Sequence, residues 1–342
     1  IGQGGGKSRP EPIHPMMALR VISNAADAAS VWDKRYSAQH VASPFCDFEF
    51  IESLAELFGW QTSTVVVGDV LAARLIVRSS GPLKDIVVPP FSPYSAFLLN
   101  PKATATERDA AVAVLNGSVG ALPYSRLFSL DPDYFSADSS IEGFTVQERF
   151  TYALKNAPVE EAIAAWSSSS RRTFRKHSKE YEFLDDSVDV EEIAVMTAQG
   201  YKQSGRKMAL NPFILSAFAE SLSKRGLGAA LGLRNRENGH LEAGMVLLLN
   251  SETAWCWLTG SIRGPSMTVL TAHVQQFLHA RNVRRMDLMG ANAPSIAEFK
   301  RRFGGDLITY CHLSRRSVLF GALEGLRGRP DVSRSPKIAA SR

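Results

Sequence analysis

"MDLMGANAPSIAEFKRRFGGDLITY", residues 286–310, joins a short apolar run ending at Gly290, a helical segment, a Gly-Gly pair and a second apolar run. This order predicts a strand, a helix and a second strand. Ser295 followed by Glu298 predicts a capping box at the start of the helix. These signals account for folding, but they do not explain every charge in the segment.

The helix in this stretch carries a lysine at the edge of its apolar side. The apolar stripe consists of Ile296, Phe299 and Phe303. At about 100° per residue, Lys300 borders this stripe, whereas Arg301 lies nearly opposite and is predicted to be solvated. A border lysine lays its alkyl stem on apolar surface and projects its ammonium into an adjacent groove. Lys300 is therefore either a site residue or an ordinary surface lysine.

Composition places the chain among globular proteins of two-domain size. It has 342 residues, 45% of them hydrophobic and 21% charged, and no apolar run approaches the ~18 residues of a membrane helix. Three scattered cysteines predict reduced thiols in a cytoplasmic protein, and dispersed histidines argue against a metal site. The predicted divisions are a disordered segment 1–18, domains 19–160 and 161–325, and a flexible tail 326–342.

Charge is distributed unevenly along the chain. Residues 1–160 contain 13 Lys/Arg and 17 Asp/Glu, a net charge of −4, while residues 161–342 contain 26 and 17, a net charge of +9. A basic half beside an acidic half predicts that the second half meets an anion. Nucleic acid, a phosphorylated cofactor and a tRNA-linked substrate all have this chemistry.

Hydrophobic periodicity predicts an α/β protein. The first half mixes helical and strand patterns around a hairpin at Gly68-Asp69. The second half reads as helices, three meander strands, a helix, a strand, a helix and a strand. Because a helix separates "TAWCWLTGS" (253–261) from "RMDLMG" (285–290), these two strands are predicted to pair in parallel.

The chain resembles the N-acyltransferases of the GNAT superfamily, and within it the FemAB-like branch, including acetyltransferases associated with bacterial cellulose and exopolysaccharide loci. The resemblance covers roughly residues 30–318 and rests mainly on "MDLMGANAPSIAEFKRRFGG", which matches a strand ending in Asp-x-x-Gly followed by FK-x-x-FG. "RRTFRKHSKEYEF" and "EAGMVLLLNSETAWCWLTGS" also match. In the first half, "VVPPFSPYSAF" resembles a proline- and tyrosine-containing loop of the same branch.

The resemblance implies tandem GNAT-like domains, each with a mixed, mostly antiparallel sheet flanked by helices. It implies transfer of an acyl group, most simply acetyl from acetyl-CoA, to an amine of an amino sugar or of a cell-envelope or exopolysaccharide precursor, without a metal. Two alternatives stay open. One is aminoacyl transfer from aminoacyl-tRNA, as in the FemABX enzymes, and the other is a non-catalytic scaffold of polysaccharide assembly.

A glycine-containing turn in "TGSIRGPSM" (259–267) leads from a strand into a helix. Free N–H groups at a helix start bind phosphate groups, and the resemblance places the acyl-CoA phosphates here. The superfamily motif is incomplete, since the turn has one glycine and Pro265 lacks a donor. The predicted cofactor-binding residues are Ser261, Ile262, Arg263, Gly264, Ser266 and Met267.

The resemblance also implies catalytic and acceptor residues. Lys300 would stabilise a phosphate or the developing oxyanion, and Tyr94 would protonate the leaving thiolate as a general acid. Asp287 and Glu298 are possible bases, although Glu298 is already explained by capping. Direct transfer needs no nucleophilic triad, and the sequence contains no local signature of one. The predicted acceptor-contacting residues are Tyr201, Arg206 and Lys207 in an interhelical loop, with Trp257 and Asn292.

A run of basic residues predicts a charged helix over 171–184, with Phe174 and Tyr181 on one face. Arg171 and Arg172 would lie in the first turn, where positive charge opposes the helix macrodipole. That placement favours a phosphate or RNA site, and the alternative is a solvated charged face.

Overall fold

The computed structural model describes residues 17–38, 43–81, 83–115, 124–136, 141, 143–185 and 187–326. The predicted disordered segment 1–18 and flexible tail 326–342 lie almost wholly outside these residues. The described residues form thirteen strands, ten α-helices and two short 3-10 helices, Pro44–Cys46 and Ser178–Glu180. Among them, no helix combines the length and apolar character needed to cross a bilayer.

Runs of one to four strands are separated by one or two α-helices along the chain. The strands are β1 (Leu19–Ile22), β2 (Gln61–Val67), β3 (Leu71–Ser80), β4 (Leu83–Val87), β5 (Ala96–Leu99), β6 (Tyr124–Ser129), β7 (Thr145–Lys155), β8 (Tyr181–Asp185), β9 (Gly228–Asn235), β10 (Leu241–Leu249), β11 (Thr253–Ser261), β12 (Arg285–Asp287) and β13 (Asp306–Arg316). The helices are α1 (Ala25–Ser37), α2 (Phe48–Leu57), α3 (Ala105–Leu115), α4 (Val159–Ala164), α5 (Ser168–His177), α6 (Val190–Gln203), α7 (Pro212–Lys224), α8 (Ser266–Ala280), α9 (Pro294–Arg301) and α10 (Val318–Leu326).

All the described strands belong to one sheet, in the order β1-β2-β3-β4-β6-β13-β7-β12-β11-β10-β9-β8, with β5 paired to β3. Its two halves repeat one plan. Strands β2, β3 and β4 form an antiparallel meander, and β4 pairs in parallel with β6. Strands β9, β10 and β11 form a second meander, and β11 pairs in parallel with β12 through the crossover helix α8. The mixed, mostly antiparallel sheet flanked by helices is thus confirmed, as is the parallel pair expected around α8.

The last strand of each half lies in the middle of the sheet. Strand β7 pairs with β12 of the second half, and β13 lies between β6 and β7. Each central strand is therefore flanked by two strands of the other half of the chain. The sheet continues across the boundary predicted near residue 160, and the division into two domains at that point stays a prediction.

Helices cover both faces of the sheet. Apolar residues of α2, α6 and α7 pack on one face together with Trp255 and Trp257. Residues of α4, α5 and α8 pack on the opposite face of the second half, and those of α3 on the corresponding part of the first half. The three cysteines, Cys46, Cys256 and Cys311, are buried and free.

The predicted capping box at the start of the helix in residues 286–310 is wrong. Helix α9 begins at Pro294, with Ala293 as its N-cap and no side-chain cap, because proline is favoured at the first helical position. Ser295 therefore lies inside the first turn, and Glu298 pairs with Arg301 and Arg302 instead of capping.

The basic helix differs at both ends from its prediction. Helix α5 begins at Ser168 with Ser167 as its N-cap, so Arg171 and Arg172 lie beyond the first three residues of the helix. The unfavourable macrodipole placement that pointed to a phosphate site is therefore weaker than expected. Tyr181 belongs to strand β8 because the alternating "YEFLD" segment pairs with β9.

Candidate active site

Pairing between strands β11 and β12 ends before the C-terminal end of β11, and the region beyond the last pair is called the gap. Only three residue pairs join them, and the last pair is Trp255 with Asp287. Directly beyond it, the register of β10 against β11 shifts, so that Trp257 is an extra residue in a β-bulge. A bulge bends a strand and increases its twist. The remaining residues of β11, 258–261, pair with β10 and with no residue of β12.

Helix α6 crosses β11 at this gap. Ile193 lies against Gly244 of β10, and Met196 and Thr197 lie against Gly260 of β11. The helix rises about 1.5 Å per residue and neighbouring strands lie about 4.8 Å apart, so α6 passes from one strand to the next in about three to four residues. One further step beyond β11 brings the helix to the gap near Tyr201.

The predicted acceptor loop follows directly at the end of α6. Tyr201 is half-buried, and the guanidinium of Arg206 lies 5.4 Å from the centre of its ring. Lys207 is exposed. Tyr201 thus belongs to the last turn of α6 and not to the predicted loop, and Arg206 lies over its ring from the segment that follows the helix.

The predicted phosphate-binding turn lies at the far end of β11. Ile262 donates its N–H to the Glu242 carbonyl, and Ser266 donates its hydroxyl to the same carbonyl at 3.1 Å. Helix α8 has no side-chain cap, and its first intrahelical donors are Thr268 and Val269. The turn from Ser261 to Gly264 is exposed, whereas Ser266 is buried and Met267 is half-buried.

The loop 88–95 of the first half reaches into the base of the gap. Trp257 is 6% exposed and donates its indole N–H to the carbonyl of Phe91 at 2.6 Å. Phe91 has a left-handed φ of 69°, which turns the loop toward β11. Tyr94 is buried further along the loop, with its ring 5.4 Å from that of Tyr310. Trp257 thus has its only donor committed to holding the loop.

Asp287 ends β12 as a buried carboxylate. Its Oδ1 accepts the Thr151 hydroxyl at 2.5 Å and the Met289 N–H at 2.6 Å, which leaves Oδ2 without a bond from the described residues. Burial raises the pKa of Asp287, while Thr151, Met289 and Lys300 act against that rise. The carboxylate is therefore held in position at one oxygen and is more basic than in water.

Tyr94 is a proton donor in the same region. Burial, followed by the charges of Asp287 and Asp131, raises its pKa well above the usual value. No described residue accepts a hydrogen bond from its hydroxyl. The phenol is protonated at neutral pH, and its proton is not committed within the described structure.

Lys300 holds the chain that leaves β12. Its half-buried ammonium donates to the carbonyls of Leu288 at 2.6 Å, Met289, and Gly290 at 3.0 Å. Burial lowers the pKa of Lys300 to about 8, so the group stays largely charged at neutral pH. These carbonyls use all three N–H donors of the ammonium. Lys300 therefore acts on the gap through its charge and not through a direct hydrogen bond.

Asn292 and two residues outside the sequence predictions complete the base of the gap. Asn292 accepts the Phe150 N–H at 2.9 Å, and its side chain also bonds Tyr310. Thr151 and Tyr310 were missed because they belong to remote strands that meet only through the central position of β7 and β13. Strand alternation was their only sequence signal, since it places each on one face of its strand.

The fold therefore brings some of the predicted residues together and separates others. Asp287, Lys300, Asn292 and Tyr94 surround the base of the gap, and the segment Ser261–Met267 lies at its outer end. Tyr201, Arg206 and Lys207 lie on the α6 side. The roles assigned to them stay predictions.

Neither the protein-family models nor the curated proteins include a match to this chain. Solved structures do. A crystal structure of FemX superposes with a TM-score of 0.64 at 10% identity, covering 90% of this chain and 99% of FemX. The chain has the fold of FemX. This likeness supports the predicted FemAB-like fold over nearly the whole of both chains.

Two further structures share the fold. A conserved protein of unknown function from Bacteroides thetaiotaomicron matches with a TM-score of 0.55 at 12% identity, over 88% of this chain and all of that one. The C-terminal domain of a putative lysylphosphatidylglycerol synthetase from Agrobacterium fabrum matches with a TM-score of 0.51 at 11% identity, over 88% and 95%. Such low identities establish the fold alone.

Proposed function

We propose that the chain is an N-acyltransferase that carries an acyl group from acyl-CoA to an amine. Acetyl is the simplest acyl group, and the acceptor amine belongs to an amino sugar or to a cell-envelope or exopolysaccharide precursor. The observation that carries this proposal is the gap between β11 and β12, which opens at the Trp257 bulge and ends beside the start of α8.

The gap suits an extended donor that ends in phosphates. An unpaired strand edge offers N–H and C=O groups, and the pantetheine arm of CoA carries amides that pair with such an edge. At the outer end, the N–H groups of Ser266 and Met267 have no acceptor among the described residues and lie at the positive end of the α8 dipole. Arg263 is exposed beside them and adds a full charge.

The base of the gap holds the groups that direct transfer needs. The neutral amine attacks the thioester carbonyl carbon to form a tetrahedral intermediate, and Asp287 accepts the amine proton through its free Oδ2. The C–S bond then breaks, and Tyr94 protonates the departing thiolate sulfur. Lys300 contributes positive charge near the oxyanion and keeps the residues after Asp287 in place.

Donor binding is the first test. We expect isothermal titration to detect acetyl-CoA, and Arg263→Ala to weaken binding by about three- to tenfold, since it removes one charge-assisted contact. Arg281→Ala, at the opposite end of the same helix, is the matched control and should bind as the unmodified chain does. Equal acetyl-CoA affinities of the two variants would exclude a phosphate contact by Arg263. Absence of binding at millimolar acetyl-CoA would exclude the acyl-CoA proposal.

Asp287→Asn tests the base. The amide keeps an oxygen for the Thr151 and Met289 donors but cannot accept the amine proton, so turnover should fall by about 10²–10⁴-fold. Acetyl-CoA affinity should change little, because Asp287 lies at the base of the gap. Asp306→Asn, at an exposed position at the start of β13, is the control. Retention of full turnover by Asp287→Asn would exclude this carboxylate as the base.

A second candidate function is aminoacyl transfer from aminoacyl-tRNA. The basic surface of α5 favours it, because Ser168, Arg171, Arg172, Arg175 and Lys176 line a concave region of about 510 Å³. Of these, Arg171 is committed to the carbonyls of Ala164 and Trp166. Arg172, Arg175 and Lys176 are exposed cations available to phosphates.

Binding of acetyl-CoA and of charged tRNA to the same protein sample distinguishes the two candidate functions. Salt-sensitive binding of charged tRNA that is lost when Arg172, Arg175 and Lys176 are replaced by alanine would favour the aminoacyl-tRNA function. Binding of acetyl-CoA with no effect of these three changes would favour the acyl-CoA function. Binding of neither donor would leave the scaffold alternative.

A further inference from the structure

A second cavity lies at the closed end of the β11–β12 pair. It measures about 470 Å³, within the ~300–1,000 Å³ range of small-molecule sites. Its walls come from the turn before β11, the residues leading into β12, and the segment after β6. Trp255 also lines it, and the Trp255–Asp287 pair marks the point beyond which the gap opens. The cavity and the proposed transfer gap therefore lie on opposite sides of that pair.

The cavity wall carries more negative than positive charge. It contains the carboxylates Asp131, Asp133 and Glu252 and the guanidinium groups of Arg284 and Arg285. Arg285 binds Asp133 through two hydrogen bonds, of 2.9 and 2.5 Å, so these two charges neutralise each other. Asp131, Glu252 and Arg284 remain, with a net charge of −1.

Asp131 lacks a counter-ion of its own. One of its carboxylate oxygens accepts the Asp133 N–H at 3.0 Å, and no other described group donates to the carboxylate. Burial and, to a smaller extent, the charge of Asp133 raise the pKa of Asp131 to about 7, against the opposing effects of the Asp133 N–H and of Arg285. A cation entering the cavity would stabilise the charged form of this group.

The remaining wall groups suit hydroxyls. The side chains of Glu252 and Arg284 form no hydrogen bond or ion pair with the described residues. A carboxylate accepts only, and a guanidinium donates only, whereas a hydroxyl does both. A ligand with several hydroxyls and one ammonium group would therefore supply a counter-ion to Asp131 and hydrogen-bond partners to Glu252 and Arg284.

We propose that this cavity binds a small polyhydroxylated amine, of which an amino sugar is the simplest member. Its ammonium lies against Asp131, and its hydroxyls bridge Glu252 and Arg284. This cavity lies at the Thr253–Arg285 end of the β11–β12 pair, whereas the gap lies beyond the Trp255–Asp287 pair. The inference does not depend on the acyl transfer proposed for the gap.

Glucosamine is the probe, and glucose is its neutral counterpart. Titration calorimetry at pH 7 is expected to give about tenfold tighter binding of glucosamine than of glucose, since only the amine supplies a counter-ion. Asp131→Asn keeps an oxygen for the Asp133 N–H but removes the charge, and it should weaken glucosamine binding about tenfold. Asp306→Asn, an exposed carboxylate outside the cavity, should change nothing.

Three outcomes would overturn the inference. They are equal binding of glucosamine and glucose, undiminished binding of glucosamine by a folded Asp131→Asn variant, and no glucosamine binding at tens of millimolar. Thermal unfolding of each variant verifies its fold, and Glu252→Gln repeats the charge removal at a separate position. Acetyl-CoA titrated into the same samples tests the acyltransferase proposal separately, because its failure would leave glucosamine binding unaffected.

Discussion

Lys300→Ala is expected to lower the free energy of unfolding by about 1–3 kcal/mol, because three carbonyls lose their common donor. It is also expected to reduce transfer by about a hundredfold. The loop 288–290 follows Asp287 directly, and a shift of about 1 Å in a reacting group costs roughly that factor. Chemical denaturation measures the first effect and steady-state turnover measures the second.

Arg301→Ala is the matched control for Lys300. Arg301 is exposed on the same helix, and its ion pair among the described residues is with the exposed Glu298, so neither stability nor turnover should change measurably. Lys300→Met keeps most of the alkyl stem and removes the ammonium, and it should lose nearly as much as alanine. If Lys300→Met behaved like the unmodified chain, packing of the stem would be the function of this residue.

Gly304→Ala is expected to prevent folding or to lower the midpoint of thermal unfolding by at least about 5 °C. Gly304 has a φ of 69°, a conformation that costs other residues about 1–3 kcal/mol. An added Cβ would also overlap the backbone carbonyl of Ala165, which cannot move without displacing the start of α5. With a shift of about 2–4 °C per kcal/mol, the two costs together exceed 5 °C.

Gly200→Ala is the control for this substitution. Gly200 lies within α6, and a Cβ there would meet open space. Alanine is the better helix former, so the variant should unfold at the same temperature or slightly higher. An unchanged midpoint for Gly304→Ala would mean that the turn before β13 adjusts freely.

The sequence predicted the elements of residues 286–310 but not their chemistry. The strand, the helix and the second strand follow from periodicity and from the Gly-Gly pair, which are local signals. The capping box failed because Pro294 competes with Ser295 for the helix start. Lys300 was placed correctly at the edge of the apolar stripe, but the carbonyls that bind it belong to a loop whose path is not encoded in that periodicity.

The candidate site shows the same division between local and remote information. A β-bulge at Trp257 leaves no composition signal, because an extra residue is defined only by the partner strand. Thr151 and Tyr310 contact Asp287 and Asn292 only because β7 and β13 lie at the centre of the sheet. These partners are too far apart in the sequence for the periodicity of a helix or a strand to relate them.

By itself, then, the sequence determined the alternation of helices and strands, the parallel crossover through α8 and the basic character of the second half. These follow from side-chain period, turn residues and charge, which act over a few positions. Only the tertiary structure decided that β7 and β13 occupy the centre of one sheet, that β11 and β12 separate beyond Trp255, and that a second, acidic cavity forms at their closed end. These features depend on which distant strands pair, and pairing is settled by burial across the whole sheet.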